Sequence, residues 1–235
     1  MADPLPLADE TDPAIPAATV VLVRDGETGL ETLMLKRDSR LAFAGGAWVF
    51  PGGRIDAEDF PGGERSEDPD ALLEAARTAA VREALEEAGL AVDRDSLVWF
   101  AHWTPAHASP RRFATWFFLA PAPDGTVVID DGEIREHEWV RPAEAVARRD
   151  AGEVELVPPT YVTLHDLAGF DSVDAVVAGF ATGEPPFFVT RIARVEGGLV
   201  SLWQGDAGYD TLDPELPGPR NRLLMFDTGW RLERS

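Results

Sequence analysis

Cysteine is absent from this chain of 235 residues, and Lys36 is the only lysine among 21 basic residues. The first absence excludes disulfides and any zinc or iron–sulfur centre held by thiolates. Long apolar runs are also missing, since none nears the roughly 18 residues that a membrane span requires. The longest run near the N-terminus, residues 14–23, is broken by Pro16 and follows an acidic stretch instead of a basic one. It reads as neither a span nor a secretory leader. There is no G-x-S-x-G, no H-E-x-x-H and no G-x-x-x-x-G-K-[ST], so the usual signatures of serine hydrolases, zincins and P-loop proteins are lacking. The four histidines, His102, His107, His137 and His165, are scattered, and each is expected in a structural or surface role. Together these absences predict a cytoplasmic protein.

Acid is what the chain has in excess. Asp and Glu number 42 against 21 Lys and Arg, a formal charge of −21. Such a field repels nucleic acid and anionic membranes, so neither is expected as a partner. It repels phosphate esters too, and a phosphate substrate would need metal ions to neutralise its approach. A hydrophobic fraction of 45% is that of an ordinary globular protein, and the length suits one sizeable core.

Periodicity orders the elements. Residues 1–15, rich in Pro and Asp, predict a disordered lead-in. Residues 16–145 read as the core of the domain, and 146–235 as a helical and β extension packed on it. A β-branched run at 17–24 predicts a buried strand, closed by Asp25-Gly26 and paired in a hairpin with 30–37. A short strand at 47–50 runs into Pro51-Gly52-Gly53, and 54–68 read as a polar loop. The clearest helix spans 69–89: Asp68 can cap it, Pro69 suits its first position and Gly89 ends it. Leu73, Ala76, Ala80, Ala84 and Ala88 give it a narrow face for close packing. Strands are expected at 97–103, 113–120, 126–129 and 137–140, helices at 142–151, 160–169 and 172–181, and strands again at 187–195, 198–203 and 222–226. The fold class is α+β.

Chemistry concentrates in residues 82–90. Glu83, Glu86 and Glu87 stand at i, i+3 and i+4, which a helix stacks on one side. Three carboxylates so close repel one another unless a cation sits among them, and oxygen ligands select hard cations such as Mg2+ or Mn2+. The plainer reading is a solvated acidic helix face, common in so acidic a chain.

The surrounding pattern decides between them, because it resembles the Nudix box, G-x5-E-x7-R-E-U-x-E-E-x-G-U with U aliphatic. Glu74, seven residues, then Arg82-Glu83, Glu86-Glu87, Gly89 and Leu90 match it, with Ala84 where a larger aliphatic residue is usual. The opening glycine is displaced: Asp68 holds its expected position, and Gly53 of Phe50-Pro51-Gly52-Gly53 is taken as the displaced residue, with 54–68 looped out. The resemblance implies an α/β/α Nudix sandwich with a mixed sheet. It implies Mg2+ or Mn2+ bound by Glu83, Glu86, Glu87 and the Gly53 carbonyl, with Glu83 also able to activate water. Arg82 and Glu74 would be the family's orienting pair, with a plain salt bridge as the equal alternative. A further base or metal carboxylate is implied just before a strand ending in Trp139: Glu133 is the choice and Glu136 the fallback.

Upstream, Arg37-x8-Gly46-x3-Phe50-Pro51-Gly52-Gly53 is similar to the coenzyme A branch of that family. Leu33, Arg37 and Gly46 fit its pattern, Asp38 replaces a Ser or Ala, and Ala42 replaces its second Arg, for which Arg40 can substitute. Trp103-Thr104-Pro105, Arg111-Arg112-Phe113 and Pro158-Pro159-Thr160 add to the likeness with peroxisomal-type CoA diphosphatases. The implied function is a metal-dependent hydrolase, a pyrophosphatase cleaving a diphosphate in a nucleoside derivative such as CoA or acyl-CoA, with Arg37 and Arg40 binding substrate. The alternatives are an ADP-ribose or dinucleotide pyrophosphatase and a non-catalytic nucleotide-binding module. The expected partner is a small-molecule diphosphate, and the sequence allows a homodimer.

Overall fold

The computed structural model describes residues 14–41, 44–106, 112–130 and 132–235. Most of the expected lead-in, together with Ala42, His107, Arg111 and Asp131, lies outside the described residues. The rest divides into two compact units, one within 16–102 and 115–186, the other within 14–15, 103–106, 112–114 and 187–235.

In the first unit, β1 (Ile15–Gly26) and β2 (Gly29–Arg37) form the expected hairpin, with Gly26 opposite Gly29. Residues 20–23 of β1 are all fully buried, which explains why the strand reads as a continuous β-branched run without alternation. Strand order is β3 (Trp48–Val49), β2, β1, β6 (Phe113–Pro121), β5 (Val98–Thr104); β4 (Gly52–Arg54) pairs with β1 and β7 (Ile134–Val140) with β2. The registers of β1 with β2 and β4, and of β2 with β3 and β7, are antiparallel. Three short helices follow: α2 (Pro142–Asp150), α3 (Pro158–Leu167) and α4 (Val173–Phe180). The α+β expectation holds.

Helix α1 (Pro69–Ala88) forms as its ends dictate. Asp68 Oδ1 accepts the Asp70 and Ala71 N–H groups at 3.1 and 3.0 Å, and Gly89 closes the helix at φ 68°. The face that packs is built from alanine: Ala75, Ala76, Ala79, Ala80, Ala84 and Ala88 have no exposed surface, whereas Leu73 is only partly buried. Small side chains bring the helix backbone close to β4 and to the core around Phe118 and Ile134. Glu87 lies on the same stripe, three residues past Ala84, and the stripe carries it inward.

Two expectations fail locally. No strand forms at 126–129, because the Val128 N–H donates to the Ala88 carbonyl at the end of α1 and not to a neighbouring strand. The run at 187–195 breaks at Thr190 into β8 (Phe187–Val189) and β9 (Arg191–Val195). In the second unit β9, β10 (Gly198–Leu202), β11 (Asn221–Phe226) and β12 (Gly229–Arg234) form an antiparallel sheet in the order β12-β11-β10-β9. Trp103 stacks on Phe188 there, with centroids 4.0 Å apart, and Trp203 meets both rings edge-on. No helix among the described residues is long and apolar enough to cross a membrane.

Candidate functional site

Arg82 commits all five of its N–H groups. Nε donates to Asp59 Oδ1 at 3.0 Å, and Nη2 to Asp59 Oδ2 and the Arg54 carbonyl, both at 2.9 Å. Nη1 reaches Glu83 Oε1 at 2.7 Å and Glu86 Oε2 at 3.0 Å. One guanidinium thus ties two helix carboxylates to the loop after β4. Burial grades the three glutamates: Glu86 is 58% exposed, Glu83 14%, and Glu87 is buried.

The loop supplies the other wall. The Gly52 N–H donates to Glu87 Oε2 at 3.0 Å. A Cβ on Gly53 would lie 2.2 Å from Glu83 Oε1, so only glycine permits this approach. Pairing of Gly52 with Thr19 and Gly53 with Ala18 holds both glycines in place.

Burial makes the carboxylates reluctant to ionise. The Glu87 pKa is raised to about 8, chiefly by burial; the Gly52 N–H opposes the shift, Glu83 adds to it, Arg37 opposes and Glu133 adds. Glu83 is raised as well, by burial first, while Arg82 pulls it down and Glu86 and Asp59 push it up. Arg37 and Glu133 are therefore neighbours of Glu87, and they pair with each other at 2.9 Å. Arg37 Nε is buried without a hydrogen-bond partner among the described residues. Glu136 stands apart, bonded to Lys36 at 2.7 Å. Of the two later carboxylates, Glu133 borders the helix glutamates.

The sequence-expected residues thus separate. Glu83, Glu86, Glu87, Arg82 and Gly53 come together, with Arg37 and Glu133 beside them. Arg40 turns instead to Asp38. Glu74 does not meet Arg82: it binds Arg94, with Arg77 at 4.0 Å. The expected pair is replaced by Asp59 and Arg82. Asp59, missed in the sequence, lies six residues after Gly53, which is the G-x5-E spacing counted forward from the displaced glycine with Asp in place of Glu. Counting back from Arg82 selects Glu74; counting forward from Gly53 finds the carboxylate that makes the bond.

A sequence model of the NUDIX domain matches residues 14–158, which is 145 of the 235 residues. The chain belongs to the Nudix family. Nudix hydrolase 7 of Caenorhabditis elegans is 29% identical over 189 residues, 65% of this chain and 60% of that protein. The chain therefore spans about 60% of the length of this curated relative. A Nudix hydrolase structure from Alicyclobacillus acidocaldarius superposes with a TM-score of 0.63 at 22% identity, over 74% of this chain and 100% of the other. That likeness concerns the fold.

Nudix hydrolases generally use divalent cations such as Mg2+ or Mn2+. Among the described residues no three acidic or histidine side chains already converge as a ligand set, and Arg82 bridges Glu83 and Glu86. The donor chemistry nevertheless fits. Asp59, Glu83 and Glu86 share one arginine, Glu87 lies beside Glu83, Glu83 and Glu87 have raised pKa values, and all four offer the oxygen that hard cations take.

Proposed function

We propose that this protein is a metal-dependent Nudix pyrophosphohydrolase that cleaves the diphosphate of a nucleoside derivative. One observation carries the reading: Glu83 and Glu87 are drawn inward against Gly52-Gly53, into a setting that disfavours their charge. A protein with no use for cations would lose nothing by having neutral residues there. Glu83, Glu86 and Glu87, with the Gly53 backbone, would hold Mg2+ or Mn2+. Such an ion, when bound, neutralises phosphate charge and lowers the pKa of water.

The chain supplies the rest. Arg82 orients Glu83 and Glu86. Glu133 is 58% exposed and its carboxylate adjoins Arg37, so it can take a proton from the attacking water as general base. Arg37, whose side chain is 16% exposed and pairs with Glu133, can turn its guanidinium to a phosphate oxygen. Gly53, having no side chain, lets the Glu83 carboxylate approach the loop backbone. Coenzyme A or an acyl-CoA is the substrate that the Arg37-to-Gly53 pattern favours.

Incubation with CoA, ADP-ribose and dinucleotides in Mg2+ or Mn2+, with products identified by mass, tests this. Cleavage within the pyrophosphate is expected, and Glu86→Gln and Glu87→Gln should each lower kcat by about two orders of magnitude or more. Near-normal turnover in both variants at saturating Mg2+ would remove the metal assignment, and fastest cleavage of ADP-ribose would remove CoA.

A further inference from the structure

Glu133 borders the carboxylate site on an exposed turn, yet two aspartates from separate stretches of the chain fix the backbone around it. Asp130 folds back over the turn: its Oδ2 accepts the Glu133 N–H and its Oδ1 the Ile134 N–H, each at 3.0 Å. Gly132 makes room for this. A Cβ there would lie 2.8 Å from Asp130 Oδ2, so a side chain at 132 would push the carboxylate off the Glu133 N–H.

Asp38 holds the other side. Its N–H donates to the Glu133 carbonyl at 2.7 Å. Between β2 and β7 the register slips at this point: Arg37 faces Ile134 but Lys36 faces Glu136, which leaves Arg135 as the extra residue of a bulge. Asp38 takes that residue in. Its Oδ2 accepts Arg135 Nε at 2.6 Å, and Arg40 closes on the same carboxylate through Nε at 3.0 Å and Nη2 at 2.7 Å. The Asp38 side chain is 8% exposed, so this anchor is nearly buried. Bulges of this kind re-aim the side chains next to them. Both main-chain polar groups of Glu133 are thus tied, one to each aspartate, while its own side chain is 58% exposed and lies 2.9 Å from Arg37. A surface glutamate with no task needs no such restraint.

We infer that Asp130 and Asp38 are positioning residues, which together fix the backbone of Glu133 so that its carboxylate is presented beside Arg37 for proton transfer. Neither has to touch the substrate. The inference rests on the reading of Glu133 as general base given above. Misplacement of a reacting group by about 1 Å can cost about a hundredfold in rate, so a loosened turn should show in kcat.

Turnover is measured with Mg2+ and whichever of CoA and ADP-ribose the unaltered protein cleaves faster. Asp130→Ala should lower kcat about tenfold and leave KM and the Kd for Mn2+ within about twofold. Gly132→Ala, which alters no charge, and Asp38→Ser should lower kcat in the same sense. In a Glu133→Gln background, Asp130→Ala should change kcat by less than about twofold, because the group it positions is gone. An unaltered kcat in Asp130→Ala, or an equal loss with and without Glu133, overturns the inference and leaves the base in place. Near-normal turnover in Glu133→Gln alone removes the base, and the inference with it. Amide exchange gives a reading apart from turnover. The Glu133 and Ile134 N–H groups should be protected in the unaltered protein and exchange about tenfold or more faster in Asp130→Ala, with the urea midpoint unchanged. Unprotected amides in the unaltered protein overturn the inference whatever the kinetics.

Discussion

Asp59 has a 3% exposed side chain and binds Arg82 in bidentate fashion, so its charge is shared with the same guanidinium that holds Glu83 and Glu86. Asp59→Asn leaves the shape and removes that share. Arg82 then has only Glu83 and Glu86 as charged partners and competes harder with a cation for their oxygens. The Kd for Mn2+, followed by its paramagnetic resonance signal, should rise about tenfold, and loss of one partner of a largely buried pair should cost about 2–4 kcal/mol. A stability loss with unaltered Mn2+ affinity would leave Asp59 a purely structural residue. Glu74→Gln provides the contrast. Its carboxylate is engaged by Arg94, two turns before Arg82, so kcat and Mn2+ affinity should stay within about twofold of the unaltered protein.

Helix α1 sets an apolar face and a set of charges in one stripe, and their demands conflict. Ala80, Ala84 and Ala88 bury without cost, while Glu87 on the same side carries a carboxylate that accepts the Gly52 N–H. In metal-free protein, Glu87→Gln should raise stability by about 1–3 kcal/mol in urea denaturation at pH 7: with its pKa raised to about 8 the glutamate must take up a proton to fold, a cost the neutral amide lacks, and the amide oxygen can still accept from Gly52. Destabilisation would mean that the carboxylate already has a compensating partner. This helix was legible because its signals are local: a capping Asp68, Pro69, a left-handed Gly89 and an i, i+4 alanine series all agree. Strand β4 was not, since Gly52 and Gly53 carry no side chains to show a period, and β12 alternates Trp230 and Leu232 with Arg231 and Glu233 over too short a run to stand out. Residues 126–129 looked like a strand by composition, yet a β-branched run declares only that it fits a pleated surface, and the end of α1 took its N–H. Within the site the glutamates were readable from spacing, whereas Asp59 depends on a contact that spacing within one helix does not encode.

At the scale of the whole chain, charge governs approach and acidity governs stability. With a formal −21, raising NaCl from about 20 to 200 mM should increase kcat/KM for an anionic substrate about two- to threefold at saturating Mg2+, because screening weakens repulsion over a Debye length. A fall would show that the local arginines dominate encounter. Towards acid pH one group that acts is His102, on β5, which is 8% exposed with its ring 4.4 Å from that of Trp116 and nearly perpendicular to it. Burial pushes its pKa down to about 4, from a usual value near 6.5. Below 6.5 the unfolded chain takes up a proton at this ring while the folded protein refuses it, so the contribution is complete above 6.5 and is lost as pH falls toward 4. Over that window the loss amounts to about 3 kcal/mol. Glu83 and Glu87 act in the opposite sense, their raised pKa values favouring the fold as acid is added, so the total profile mixes the two. A comparison with His102→Phe removes the mixture, because the glutamates contribute equally to both proteins. Urea denaturation at pH 7 and at pH 4 should show the unaltered protein losing about 3 kcal/mol more than the variant between the two conditions. Parallel losses would mean that the ring is already solvated enough to accept its proton in the folded state.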